Sequence, residues 1–206
     1  MIIYLVRHGL SFANINGLVT GLPSDELTKK GFMQSIELRN WFIFANVTPE
    51  MFYVSHWERA KQTANQLFPN AQWHQDSRLG ETIAGDVAEL PLKNFLVDHP
   101  SFYELNTNKY PGGESHIDLN CRVLSFWNEI HSNSSKVIII VTHSGPINCI
   151  LQRVLGISMD KFPVFLPPHA SVTVLESPGF GLDEKLQFRI KGFALGPFNI
   201  FPGDIY

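Results

Sequence analysis

Two stretches of the chain are apolar without polar alternation: Ile2-Ile3-Tyr4-Leu5-Val6 near the start, and Val137-Ile138-Ile139-Ile140-Val141, entered through Lys136. Runs of this length and β-branched content predict strands buried on both faces, the pattern of a parallel sheet flanked by helices. Met51-Phe52-Tyr53-Val54 predicts a further strand, and weaker patterns predict strands at 72–75, 171–176 and 186–190. Helices are predicted between them, at 28–44, 58–67, 115–131 and 146–155. Ala60, Ala64, Leu67 and Phe68 make one apolar stripe, and Ile147, Ile150, Leu151 and Val154 another. Pro146 suits a first helical turn and Gly156 a helix end. Strand and helix alternate, so the fold class is α/β, a three-layer α/β/α sandwich around a mostly parallel central sheet.

In such sheets ligands gather at the carboxyl ends of strands, and the residues delivered there carry chemistry. The first strand delivers Arg7-His8-Gly9: a fork of donors for phosphate or carboxylate, an imidazole able to act as nucleophile or base, and a residue that lets backbone approach a ligand. The second apolar run delivers Thr142-His143-Ser144-Gly145-Pro146, which sets His143 at a strand-to-helix junction, where free N–H groups favour an anion. Arg59 opens the helix after Met51-Phe52-Tyr53-Val54, where the helix dipole disfavours a cation unless an anion is bound. Taken singly, each has an ordinary reading: a structural histidine, a helix cap, a solvated surface arginine.

Taken together, the residues resemble the histidine phosphatase superfamily in its phosphoglycerate-mutase-like branch. The resemblance runs along most of the chain. It includes Arg7-His8-Gly9, Asn14, Leu27-Thr28-x-x-Gly31-x-x-Gln34, Ser55 through Ala64, Leu79-x-Glu81 with Gly85-Asp86, Pro111-Gly112-Gly113-Glu114-Ser115 with Asp118 and Arg122, and Val141-Thr142-His143-x-Gly145. It implies that His8 attacks phosphorus and becomes phosphohistidine, while Arg7, Arg59 and His143 hold the equatorial oxygens. Glu81 is then the general acid, with Glu89 as the alternative. Ser11, Asn14, Thr20, Gly21 and Ser144 are the implied substrate contacts, and no metal or cofactor is needed. A phosphoryl group in transfer spreads negative charge over three oxygens, which fixed donors in a partly dry pocket stabilise better than water. His8 must be neutral to attack, and burial beside two guanidinium groups favours that state.

Departures from the family pattern bear on specificity. Leu10 and Ser11 stand where the family usually has Glu or Gln and then Thr or Ser; Thr20 replaces a usual Gln and Ser144 a usual Gly. Mutase members commonly follow the acid with Arg-His-Tyr to grip a carboxylate, whereas Glu81 is followed by Thr82-Ile83-Ala84. The resemblance therefore favours a phosphomonoesterase over a cofactor-dependent phosphoglycerate mutase, and both over a catalytically silent phosphate-binding adaptor. Residues 82–110 fall where the family carries a variable cap over the pocket. They hold Phe95, Phe102, Tyr103 and Tyr110, with only Lys93, His99 and Lys109 as cation candidates. The expected substrate is a small-molecule phosphate ester, with a phosphoprotein left open.

Composition narrows the picture further. A chain of 206 residues that is 44% hydrophobic supports one domain, here expected over 1–206. Sixteen basic and nineteen acidic residues leave a formal charge of −3, so no global field draws nucleic acid or an anionic membrane. The first strand begins at once, without a leader pattern, and no run approaches a membrane span, so a cytoplasmic protein is expected. Cys121 and Cys149 lie in predicted helices and are expected to be buried free thiols. The segment 191–206 is an apolar tail with Phe193, Phe198, Ile200, Phe201, Ile205 and Tyr206, expected to pack on the core, cover the pocket mouth or form a homodimer contact.

Overall fold

A computed structural model describes residues 1–130, 135–177 and 188–197. In chain order the elements are β1 (Ile2–Arg7), α1 (Phe12–Ile15), α2 (Lys29–Phe44), β2 (Met51–Ser55), α3 (Glu58–Leu67), β3 (His74–Asp76), α4 (Leu92–Asp98), α5 (His116–Ile130), β4 (Val137–Thr142), α6 (Ser144–Leu155), β5 (Val172–Glu176) and β6 (Arg189–Leu195). The sheet runs β3-β2-β4-β1-β5-β6. The first four strands in that order are parallel, and β5 and β6 add antiparallel pairs at one side.

The unalternating strands are buried on both faces, as their sequence requires. Ile3 and Leu5 of β1 with Ile138 and Ile140 of β4 face α5 and α6, packing on Leu119, Val123, Phe126, Ile147 and Ile150. Val6, Ile139 and Val141 face the other way, onto Leu38 and Phe42 of α2 and Ala60, Ala64 and Leu67 of α3. Each of these large side chains removed from water stabilises the fold by roughly 1.5–3 kcal/mol. The three layers follow from strands that are apolar at every position. A third apolar cluster, separate from both, joins Val19 to Ala84, Val87, Phe95, Phe102 and Tyr110 of the 82–110 segment.

Several boundaries differ from the sequence expectation. The helix predicted from Pro146 begins two residues earlier at Ser144, with His143 as N-cap, and ends at Gly156 in a left-handed turn (φ +66°). The strand predicted at 72–75 is His74–Asp76. The last strand lies further along than 186–190: Arg189–Leu195 pairs with β5, so the first part of the expected tail is an edge strand. Its burial alternates, with Ile190, Gly192 and Ala194 half-buried and Phe193 and Leu195 on the exposed positions with Arg189 and Lys191. Phe198 to Tyr206, residues 186 and 187, and His131 lie outside the described residues. Cys149 is buried and free, but Cys121 is exposed, correcting the expectation for that thiol; it lies outside the stripe that α5 turns to the core. Among the described residues no helix is long and apolar enough to cross a membrane.

The segment around Leu27-Thr28-x-x-Gly31-x-x-Gln34 supports the loop that follows β1. Thr28 caps α2 by accepting from the Gly31 amide, and its amide and hydroxyl both donate to the Leu10 carbonyl at 2.9 and 3.0 Å. Gln34 accepts from the Leu10 amide at 2.9 Å. A Cβ on Gly31 would stand 2.2 Å from the Leu10 carbonyl oxygen, so only glycine lets α2 pack this closely.

Candidate active site

Three neighbouring strands end at one place. Arg7 pairs with Thr142 in register, so His8 and His143 each follow immediately after paired strand ends, and the His8 amide donates to the Thr142 carbonyl at 3.0 Å. Their ring centroids are 4.9 Å apart. On the other side of β4, β2 ends at Ser55 and α3 starts at Glu58, which brings Arg59 into the same group. Arg59 has no solvent exposure, the opposite of a surface arginine.

A hydrogen bond fixes the tautomer of His8. His8 Nδ1 lies 2.7 Å from the Gly9 carbonyl, which can only accept, so Nδ1 carries the proton and Nε2 the lone pair. Arg59 Nε donates to that lone pair at 3.1 Å. Burial, then Arg59, His143, His169 and Arg7, hold the His8 pKa well below the ordinary histidine value, so the ring is neutral. Ser55 Oγ accepts from the Trp57 amide at 3.2 Å and lies 2.8 Å from His143 Nε2, a contact in which the hydroxyl can donate or accept. His143 Nδ1 is buried with no protein partner. Burial, then Arg59 and Arg122, hold this second imidazole neutral too. His143 occupies the N-cap position of α6 but makes no capping bond with its side chain.

The guanidinium groups are fixed by acceptors around them. Arg59 donates to the Leu22 and Thr20 carbonyls at 3.1 Å each, pairs with buried Asp25 at 3.3 Å, and lies 4.6 Å from the Trp57 ring centroid. Arg7 donates to the Pro167 carbonyl at 2.6 Å and contacts His169 Nε2 at 2.9 Å, while its buried Nε has no protein partner. Burial lowers both arginines to about 10, so both stay charged at neutral pH. An unpaired buried donor costs about 1–3 kcal/mol; Arg7 Nε–H is one at this strand-end cluster, where His143 Nδ1 is a second buried polar atom without a partner, and an anion would satisfy the donor.

Glu81 is held by its neighbours. One carboxylate oxygen accepts from the Thr82 amide at 2.9 Å and the other from the Gly145 amide at 3.0 Å. A Cβ on Gly145 would lie 2.1 Å from the carboxylate, so that position must be glycine for Glu81 to stand here. Arg122 anchors the loop below, donating to the carbonyls of Arg78, Gly80 and Glu81 at 2.8–2.9 Å and pairing with Glu114. Glu114 in turn accepts from the Ile83 amide at 3.1 Å. Glu89 is exposed, in a left-handed conformation (φ +68°), with its amide donating to the Val19 carbonyl.

A cavity of about 260 Å³ lies beside Glu81, lined among others by Thr20, Gly21, Glu81, Thr82 and Ser144; Arg7, His8, Arg59 and His143 are not among its lining residues. Ser11 and Asn14 are engaged with each other instead, in a capping box at α1 with Ser11 Oγ donating to Asn14 Oδ1 at 2.7 Å, and neither lines the cavity. Sequence reasoning missed His169 and Asp25. His169 follows Pro167-Pro168 in a segment with no period, and Asp25 sits in a Pro-Ser-Asp run that reads as a turn. Among the described residues no group of three or more His, Cys, Asp or Glu is arranged to hold a metal ion.

Two buried neutral histidines have a consequence for stability. Below about pH 6.5 the unfolded chain takes up protons that His8 and His143 refuse in the fold, so stability is lost as pH falls, by about 1.4 kcal/mol per pH unit for each. Above that pH the pair contributes no pH dependence. Thermal melts should show Tm flat from about pH 8 to 7 and falling below about 6.5; replacing either histidine with Gln should shallow the fall.

A profile of the histidine phosphatase superfamily (branch 1) matches residues 3–185. Human 6-phosphofructo-2-kinase/fructose-2,6-bisphosphatase 1 is 28% identical over 185 residues, 87% of this chain, and the match spans 38% of that longer protein. A putative phosphoserine phosphatase 2 from Hydrogenobacter thermophilus is also 28% identical over 185 residues, covering 86% of this chain and 90% of the relative. Among solved structures, the α-ribazole phosphatase of Shigella flexneri superposes with a TM-score of 0.84 at 20% identity, over 98% of this chain and 100% of that one. A mycobacterial glucosyl-3-phosphoglycerate phosphatase in complex with VO3 superposes with a TM-score of 0.79 at 23% identity, over 92% and 96%. The chain belongs to the histidine phosphatase superfamily, branch 1.

Proposed function

We propose that the protein is a metal-independent phosphomonoesterase working through a phosphohistidine on His8. One observation carries this reading: a buried neutral imidazole whose Nδ1 proton is bound by the Gly9 carbonyl, leaving Nε2 as a lone pair beside Arg59 and close to Arg7 and His143. An incoming phosphate draws the Arg59 donor to its own oxygens and frees Nε2 to attack. The bond from Nε2 to phosphorus forms as the ester bond breaks, and the Gly9 carbonyl stabilises the positive charge that develops on the ring. Arg7 Nε–H, Arg59 and His143 Nδ1–H share the equatorial oxygens. Glu81 gives its proton to the departing alkoxide, then takes one from water as the water oxygen attacks phosphorus, which releases phosphate and restores His8. The charge neutralisation that metal ions supply in other phosphatases falls here to two guanidinium groups.

The mutase reading needs a grip for a substrate carboxylate beside the acid. Thr82 is committed to Glu81, Ile83 is exposed and Ala84 is buried in the third apolar cluster. The test is a panel of phosphate esters, with 3-phosphoglycerate plus bisphosphoglycerate as the mutase arm. Released phosphate from simple esters, unchanged after exhaustive EDTA and inhibited competitively by vanadate, is the expected result. Activity lost to EDTA and restored by Mg²⁺ or Zn²⁺ would remove the reading, as would isomerisation without net hydrolysis.

A further inference from the structure

The cavity beside Glu81 carries information about the leaving group. Its wall holds an aromatic bank: the Tyr103 and His116 rings are stacked, with centroids 5.8 Å apart and planes 14° apart, and Phe162 lies 4.8 Å from His116. Tyr103 and Tyr110 share a hydrogen bond at 2.9 Å, and burial holds both phenols in the neutral form. Burial lowers His116 as well, so it is a neutral ring. Among the described residues the cavity lining contains no lysine or arginine. The cation candidates of the 82–110 segment lie elsewhere: Lys109 pairs with Asp118 at 2.9 Å, His99 packs on Phe95, and Lys93 is exposed. Arg122 is used up by Glu114 and three carbonyls.

We infer that the substrate is the phosphate monoester of an uncharged alcohol bearing a flat ring, the ring lying against Tyr103, His116 and Phe162. The inference rests on the phosphomonoesterase reading and adds the identity of the leaving group. A second phosphate or a carboxylate in this cavity would lose its hydration and meet no lysine or arginine countercharge, a heavy penalty for a buried anion. A neutral ring instead gains apolar contact and an aromatic neighbour. A ring-free neutral alcohol avoids the penalty but gains neither.

Steady-state kinetics on 2-phenylethyl phosphate, glycerol 1-phosphate, 3-phosphoglycerate and fructose 2,6-bisphosphate, with p-nitrophenyl phosphate as a marker of the His8 chemistry, tests this. The expected order in kcat/KM is the ring ester about tenfold above glycerol 1-phosphate and on the order of 10²-fold or more above both anionic esters. Tyr103 is 45% and Leu166 48% exposed, so substitutions there spare the core. Tyr103→Leu should shrink the preference for the ring ester over glycerol 1-phosphate, and Leu166→Lys, which places a cation on the cavity wall, should raise 3-phosphoglycerate relative to the ring ester. An anionic ester equal to or better than the ring ester, while p-nitrophenyl phosphate is hydrolysed with a phosphoenzyme on His8, overturns this inference alone. Failure of every ester, p-nitrophenyl phosphate included, takes down the phosphomonoesterase reading with it.

Discussion

Replacing His8 with alanine should abolish the phosphoenzyme and lower turnover by about 10⁴–10⁶-fold, the scale seen when a covalent nucleophile is removed. Rapid quenching of the unaltered protein during turnover should trap an acid-labile, base-stable phosphoryl group on His8. The expectation follows from the contacts of the two rings: His8 presents a lone pair at Nε2 next to Arg59, while His143 has its Nε2 engaged by Ser55. His143→Ala should therefore remain able to form the adduct on His8, with turnover reduced by about 10²–10³-fold, the usual cost of one oxyanion donor. An adduct mapped to His143, or an unaltered adduct in His8→Ala, would reverse the two roles.

Much of this arrangement was legible in the sequence because strand termini advertise themselves. Two unalternating runs mark central strands, and whatever follows them stands at the sheet edge where ligands bind. Arg7, His8 and His143 were found that way, and Arg59 by its place in a first helical turn. The order of the strands was not legible, since pairing of β1 with β4 across more than a hundred residues leaves no local trace. Nor were the groups that orient the site. Asp25 and His169 come from irregular segments whose positions depend on the finished fold, and the edge strand β6 was concealed within a stretch that read as a tail because its alternation was masked by glycine and neighbouring apolar residues. The segment 27–34 shows the reverse case, in which a recognisable pattern had no evident purpose until Thr28, Gly31 and Gln34 were all found holding Leu10 and the loop before it.

Glu81→Gln should separate the two halves of the reaction. An alkoxide needs a proton as the phosphorus–oxygen bond breaks, whereas p-nitrophenolate departs unaided, so losing the acid should slow phosphoenzyme formation from alkyl phosphates by roughly 10²–10⁴-fold and from p-nitrophenyl phosphate far less. Hydrolysis of the phosphohistidine should slow in both cases, because the same carboxylate activates water, and a burst of p-nitrophenolate should precede a slow steady state. The geometry favours Glu81 over Glu89 on three counts. Glu81 lines the cavity, its carboxylate is held by the Thr82 and Gly145 amides, and its backbone is clamped through Arg122. Glu89 is exposed on a left-handed turn and its amide is tied to Val19. Its replacement by Gln should leave the dependence on leaving group unchanged. If Glu81→Gln slowed phosphoenzyme formation equally for alkyl and aryl esters, or if Glu89→Gln acquired the leaving-group dependence, Glu81 would have to be withdrawn as the acid, and the two amides on its carboxylate would be explained as anchorage for the loop alone.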